Sequence, residues 1–135
     1  SERPVFKQYR ENRCINIVNG FYEWQHVGKY KVTFDIGFNN QLFAFAGLYA
    51  NNTYTIVTTE AKGVMREIHN TKLRMPFSLK TEKDIQSWLN NEEVAPRYDF
   101  TTTQLDFTQS TKNRKSNMKL KPLCTLCKFS QYKNV

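Results

Sequence analysis

Residues 43 to 50, Phe-Ala-Phe-Ala-Gly-Leu-Tyr-Ala, form a nearly unbroken apolar run, and residues 53 to 59 beyond them are rich in β-branched side chains. Asn51 and Asn52 alone separate the two stretches, a connection of the length and chemistry that closes a hairpin. A hairpin at the middle of the chain commits the fold to a sheet, and the flanking segments agree. Tyr30 to Ile36 alternates apolar and polar residues, the pattern of a half-buried strand, and Cys14 to Val18 favours extended structure. Asn19-Gly20 supplies turn chemistry, so the chain bends before it resumes an extended course over Phe21 to Gln25, with Glu23 just past the bend. Gly37 to Asn40 turns the chain again.

Helical signals are fewer. The clearest runs from Thr81 through Asn90: Thr81 is a capping residue with Asp84 three positions on, and Ile85, Trp88 and Leu89 make one apolar stripe. Glu60 to Ile68 reads as a short helix on which Val64, Met65 and Ile68 share a face, Gly63 notwithstanding, and His69 follows it. Met75 to Leu79 is predicted to be a strand started by Pro76, where one ladder donor is not needed. Ser1 to Asn12 is a lead-in with a helical turn near Phe6 to Arg10. After Pro96 the periodicity fades, and the polar stretches Thr101 to Thr103 and Thr111 to Lys121 lack a core face, as expected of an extended or partly disordered segment. A chain of 135 residues, 39% hydrophobic and 14% aromatic, sustains one compact core rather than two. The expected class is α+β: a curved, mostly antiparallel sheet or open barrel with a few short helices over residues 1–95, and a basic segment over 96–135.

The charge is lopsided. Residues 1–95 carry 12 Lys and Arg against 10 Asp and Glu, whereas residues 96–135 carry 8 against 2. Such a basic segment attracts polyanions, of which nucleic acid is the commonest, although a merely solubilising tail has the same composition. No apolar run approaches the roughly 18 residues that span a bilayer, and the first residues lack the layout of a secretory signal. No membrane partner is expected, and the chain reads as soluble and intracellular. Cys14, Cys124 and Cys127 are an odd set that agrees with a reducing compartment. The spacing of Cys124 and Cys127 suits half a zinc site, yet Cys14, His26 and His69 supply no matching pair, so neither a metal nor another cofactor is expected.

Two motifs hold ionisable groups among apolar neighbours: Asn19-Gly-Phe-Tyr-Glu-Trp24 and Ile68-His-Asn-Thr-Lys-Leu-Arg-Met-Pro76. A carboxyl against apolar surface keeps its proton to higher pH, and an imidazole nearby exchanges protons near neutrality, which makes Glu23 and His69 the candidates for chemistry. The plainer alternatives are an exposed strand carboxylate and a helix-ending histidine favoured by the local dipole.

With Arg13-Cys14, Phe43-Ala-Phe-Ala-Gly-Leu-Tyr49 and Thr55-Ile-Val-Thr-Thr-Glu-Ala61, these motifs make an ordered series over about 80 residues. In that series the chain resembles the SOS-response-associated peptidase family, whose members covalently trap abasic sites in single-stranded DNA. The resemblance implies an N-terminal cysteine whose amine forms a Schiff base with the ring-opened aldehyde and whose thiol closes a thiazolidine. It implies Glu23 and His69 as proton-transfer groups and Thr58 as a hydroxyl in the same pocket. It further implies Arg13 and Arg74 as phosphate holders, and Trp24, Met75 and Pro76 as apolar edges for unstacked bases; for Trp24 a core position is the alternative. The implied partner is single-stranded DNA containing abasic sites, and the implied location is cytoplasmic, nucleoid-associated when DNA is bound. A cysteine peptidase and a non-catalytic single-strand-binding module remain as alternatives, and the sequence carries no signal for an oligomeric state.

Two departures stand out. Asn70 to Leu73 makes a longer link between His69 and Arg74 than many relatives have. Family members also carry several dozen residues before the Arg-Cys motif, including the nucleophilic cysteine and a pocket asparagine, whereas this sequence opens at Ser1; a fragment, a processed form or one chain of a split protein is expected. Cys14 is no substitute, because it lacks a free α-amine and sits on a predicted strand, where a buried, inert thiol is the usual outcome.

Overall fold

The computed structural model describes residues 8–105 and 118–120. In chain order its elements are β1 (Arg13–Val18), β2 (Phe21–Val27), β3 (Tyr30–Gly37), β4 (Phe43–Ala50), β5 (Thr53–Ile56), β6 (Thr58–Glu60), α1 (Val64–Ile68), β7 (Arg74–Pro76), β8 (Ser78–Leu79), α2 (Glu82–Leu89), β9 (Thr101–Gln104) and β10 (Met118–Leu120). The strands form a sheet in the order β1-β4-β5 with β8 also on β4, a second sheet in the order β10-β2-β3-β9, and a ribbon of β6 and β7. Every pairing among them is antiparallel. With two short helices added, the fold is α+β.

The alternation of β4 explains how the layers join. Phe43 and Phe45 point to one side, into a core shared with Val18 of β1, Phe21 of β2, Ile36 of β3, Met65 and Ile68 of α1, Met75 of β7 and Phe100. Ala44, Ala46 and Leu48 point to the other, where Ile15, Leu79 and Trp88 of α2 meet them. One face of the first sheet is therefore closed by α2 and the other by the second sheet. Aromatic edges lock the shared core, with Phe21 5.5 Å from Phe45 and 5.6 Å from Phe100 between ring centroids. Gly47 lets β1 and β5 approach: a Cβ there would lie 3.0 Å from both the Cys14 Sγ and the Thr55 carbonyl oxygen.

The predicted hairpin forms, with Ala50 opposite Thr53 and Asn51 at a φ of 55° that asparagine tolerates. The predicted cap of α2 forms as well: Thr81 Oγ1 accepts from the Asp84 N–H at 3.1 Å, and Asp84 Oδ2 accepts from the Thr81 N–H at 3.3 Å. Trp88 is buried against the first sheet and donates its indole N–H to the Cys14 carbonyl at 2.9 Å.

Three sequence expectations need correction. The β-branched run does not stay in one strand: Val57 donates to Ala46 O at 2.9 Å and accepts from Phe77 N at 2.8 Å, and Ala46 donates to Phe77 O at 2.9 Å. At this three-way junction the chain leaves the hairpin and β6 begins. The same junction splits the predicted strand over 75–79 into β7 and β8, so Pro76 ends a strand rather than starting one. The helix expected over 60–68 is only the five residues of α1, because Thr58 to Glu60 is already paired with Arg74 to Pro76 and Gly63 at a φ of 59° redirects the chain. Beyond residue 96, where an extended or partly disordered segment is expected, two stretches are extended on the domain, Thr101 to Gln104 paired with β3 and Met118 to Leu120 with β2. The turn expected near Phe6 lies partly outside the described residues, which show a turn at 8–11 closed by the Asn12 N–H donating to Tyr9 O at 2.9 Å. Cys124 and Cys127 lie outside them altogether.

Candidate active site

Glu23 sits on the face of β2 that also carries Phe21, two residues before it, and that face looks into the shared core. It is 3% exposed. Oε1 accepts the Trp24 N–H at 3.1 Å, and burial pushes the carboxyl up to about 7, with the Trp24 N–H opposing that rise.

His69 is brought to it by α1. Met65 and Ile68 are anchored in the core, and the His69 N–H closes the helix on Met65 O at 2.9 Å. The link that follows is folded back tightly: Leu73 donates to His69 O at 3.0 Å, Leu73 itself adopts a φ of 53°, and the Arg74 N–H then points at His69 Nδ1 from 2.8 Å. A left-handed non-glycine residue holds roughly 1 kcal/mol of strain or more. Because Nδ1 accepts that bond, the neutral imidazole carries its proton on Nε2, which lies 4.0 Å from Glu23 Oε2. That separation is too long for a direct hydrogen bond. Burial lowers the His69 pKa, and the positive fields of Lys72 and His26 lower it further. At neutral pH the pair is thus an uncharged Nε2–H donor beside a carboxyl poised between its two forms.

Two side chains fasten this assembly to β2. Asn70 accepts the His26 N–H at 3.0 Å and donates to the His26 carbonyl at 2.8 Å, while Gln25 Nε2 donates to Glu67 O at 2.9 Å. Neither was found from the sequence. Both contacts join residues more than 40 positions apart, and no local pattern announces them.

Arg74 extends the site. Its NH2 donates to Thr58 O at 2.9 Å and Oγ1 at 3.1 Å, so Thr58 and Arg74 are joined to Glu23 and His69 through the Arg74 backbone N–H. The remaining predicted residues are placed elsewhere. Arg13 NH1 donates to Trp88 O at 3.1 Å and Glu92 O at 2.8 Å, its guanidinium 4.0 Å from the centre of the Trp88 ring, at the C-terminal end of α2. Trp24, Met75 and Pro76 are interior, and the Lys31 ammonium lies 4.7 Å from the Trp24 ring centre. Cys14 is fully buried behind Gly47. Among the described residues no group of three His, Cys, Asp or Glu side chains could hold a metal ion, and no helix is long and apolar enough to cross a membrane.

Comparison with known proteins points one way. Residues 1–123 match the family described as SOS response associated peptidase (SRAP). The abasic site processing protein YoaM of Bacillus subtilis (strain 168) is 36% identical over 110 residues, 73% of this chain and 47% of that protein. The abasic site processing protein HMCES of Xenopus tropicalis is 25% identical over 124 residues, 70% of this chain and 36% of that one. The chain thus spans about half or less of these curated relatives. A crystal structure of a protein from Bacteroides thetaiotaomicron has a TM-score of 0.72 at 26% identity, covering 85% of this chain and 59% of that chain. Another, from Bordetella bronchiseptica, has a TM-score of 0.61 at 18% identity and shares the fold.

Proposed function

Since the chain belongs to the SOS response associated peptidase family, we propose that it processes abasic sites in single-stranded DNA, with Glu23 and His69 moving and steering the protons. The observation that carries this reading is a buried carboxyl raised to about 7 beside an imidazole whose Nε2–H faces it. An abasic deoxyribose must open its ring before its aldehyde reacts, and an imine forms only when an acid protonates the departing oxygen. Glu23, balanced between its forms near neutrality, donates a proton in one step and accepts it in the next. His69 donates a hydrogen bond from Nε2 to the sugar oxygen.

Arg74, whose backbone N–H meets His69 and whose guanidinium is fixed by Thr58, holds a phosphate of the strand. The nucleophile implied by the family is an N-terminal cysteine, whose amine and thiol together close a thiazolidine; buried Cys14 takes no part. A cysteine-dependent attack on a peptide bond would call on the same N-terminal cysteine, since Cys14, buried among the described residues, serves neither reaction.

The test is timed quenching of the protein, extended at its N-terminus to begin with the family's cysteine, with a single-stranded oligonucleotide bearing an abasic site, followed by denaturing gel electrophoresis. Glu23→Gln and His69→Ala are each expected to slow product formation by about 10²-fold or more. Wild-type rates in both variants would remove the pair from the chemistry.

A further inference from the structure

Five large apolar side chains stand out as exposed among the described residues, and three of them, Val27, Tyr30 and Leu73, lie on the two segments that build the site. Val27 and Tyr30 are the last cross-strand pair of the β2–β3 ladder, 51% and 64% exposed. The period of two puts Phe21, Glu23, Gln25 and Val27 on one face, with their partners Ile36, Phe34, Val32 and Tyr30 beside them. This face starts in the core at Phe21 and Ile36, passes Glu23, and emerges into solvent at Val27 and Tyr30, about 14 Å along the strand from the carboxylate at the usual strand rise. Leu73 joins them from the link after His69, which the paired hydrogen bonds of Asn70 hold against His26, the neighbour of Val27.

The charges around these side chains are mostly positive. From Trp24 to Phe34 there is no acidic residue, while His26, Lys29 and Lys31 lie within that stretch and Lys72 precedes Leu73. On the adjoining α1, Arg66 is paired with Glu60 of β6 at 3.6 Å, and Glu67 adds one negative charge beside these positive ones. Exposed apolar and aromatic faces interleaved with lysines suit a single strand, whose unstacked bases offer flat apolar surface beside each phosphate. A duplex keeps its bases stacked and would meet only the lysines.

We infer that Val27, Tyr30 and Leu73, with Lys29 and Lys72, form a ledge that receives an unpaired base neighbouring the nucleotide processed at Glu23. This rests on the abasic-site reading and adds the place where the flanking strand is held. Tyr30 supplies the stacking surface, and the lysines supply phosphate contacts.

The experiment is fluorescence anisotropy across a salt series, using a single-stranded oligonucleotide with a central tetrahydrofuran abasic analogue and the same oligonucleotide as a duplex. Tyr30→Ala is expected to weaken single-strand binding by about tenfold or more with the salt slope unchanged, and Tyr30→Phe to retain wild-type affinity. Lys29→Ala and Lys72→Ala are each expected to reduce the slope of log K against log salt by a little under one. All three positions are solvent-facing, so matched melting temperatures verify that the four variants fold. Wild-type affinity in Tyr30→Ala, equal loss in Tyr30→Phe, or equal binding of the duplex overturns the ledge while leaving the chemistry at Glu23 standing. Absence of any binding by the wild-type protein overturns both.

Discussion

Glu23 is held where a carboxylate is least comfortable, and the consequence is measurable without any substrate. Its pKa rises from 4.5 to about 7 on folding, so the folded state binds more protons than the unfolded chain between those values. The stability linked to Glu23 is complete below pH 4.5 and is lost as pH rises through 7, by about 3 kcal/mol at the scale of 1.36 kcal/mol per pKa unit. His69 runs the opposite way: its pKa is lowered below 6.5, so its contribution is complete above 6.5 and fades as pH falls. Glu23→Gln keeps the shape and removes the ionisation. Urea denaturation should therefore find that variant more stable than wild type at pH 8, with the two converging near pH 4; equal midpoints at pH 8 would mean that water reaches the carboxylate. The apolar neighbours of Glu23 made this residue legible in the sequence. The tautomer of His69 was not, because it depends on the Arg74 N–H, and the interior placement of Met75 and Pro76 was not, because alternation marks faces without saying which one is covered.

Among the elements, those written in local signals were read correctly and those made by distant contacts were not. The β4–β5 hairpin follows from Asn51-Asn52 between two β-favouring runs, and α2 from Thr81 and Asp84 at their capping positions. The break at Val57 and the shortening of α1 follow from a backbone junction among Ala46, Val57 and Phe77, which no window of sequence contains. The same holds for the hook at Asn70. Among the described residues β10 pairs with β2 from Phe21 to Glu23, and further along the Asn70 amide takes up the His26 N–H and carbonyl. Asn70→Ala leaves those backbone groups without their partner, a loss of about 1–3 kcal/mol. It also frees His69 from β2. Nitrogen-15 NMR of the imidazole should then show the Nε2–H tautomer giving way to a mixture, with the His69 pKa moving up toward its ordinary value, whereas Asn70→Asp, which keeps the acceptor for the His26 N–H, should fall between. A variant of Asn70 that loses stability yet keeps a pure Nε2–H tautomer would make the hook structural only.

At the scale of the whole molecule, the α+β class and the charge asymmetry were visible in the sequence, whereas the part the late segment takes in the sheet was not, since Thr101 to Gln104 and Met118 to Leu120 have no apolar alternation to mark them. Both are strands of the sheet that carries Glu23, and Met118 stands opposite Glu23 in the register. The basic segment therefore has two separable contributions. Residues 106–135 hold seven basic side chains and one acidic, a field that strengthens binding to a polyanion in low salt. Met118 to Leu120 also completes the edge of β2, with ladder hydrogen bonds worth on the order of 1 kcal/mol each. Truncation after residue 105 should thus lower the melting temperature, flatten the salt dependence of single-strand binding, and let the Glu23 pKa fall back from 7 as water reaches the uncovered edge. Replacing Lys112, Arg114 and Lys115 together by Gln removes charge but spares β10, and should flatten the salt dependence alone. Calorimetry, anisotropy and carbon-13 titration of the Glu23 carboxyl read the three effects separately; a truncated chain that melts with wild type and keeps its raised carboxyl pKa would leave the segment with charge as its whole contribution.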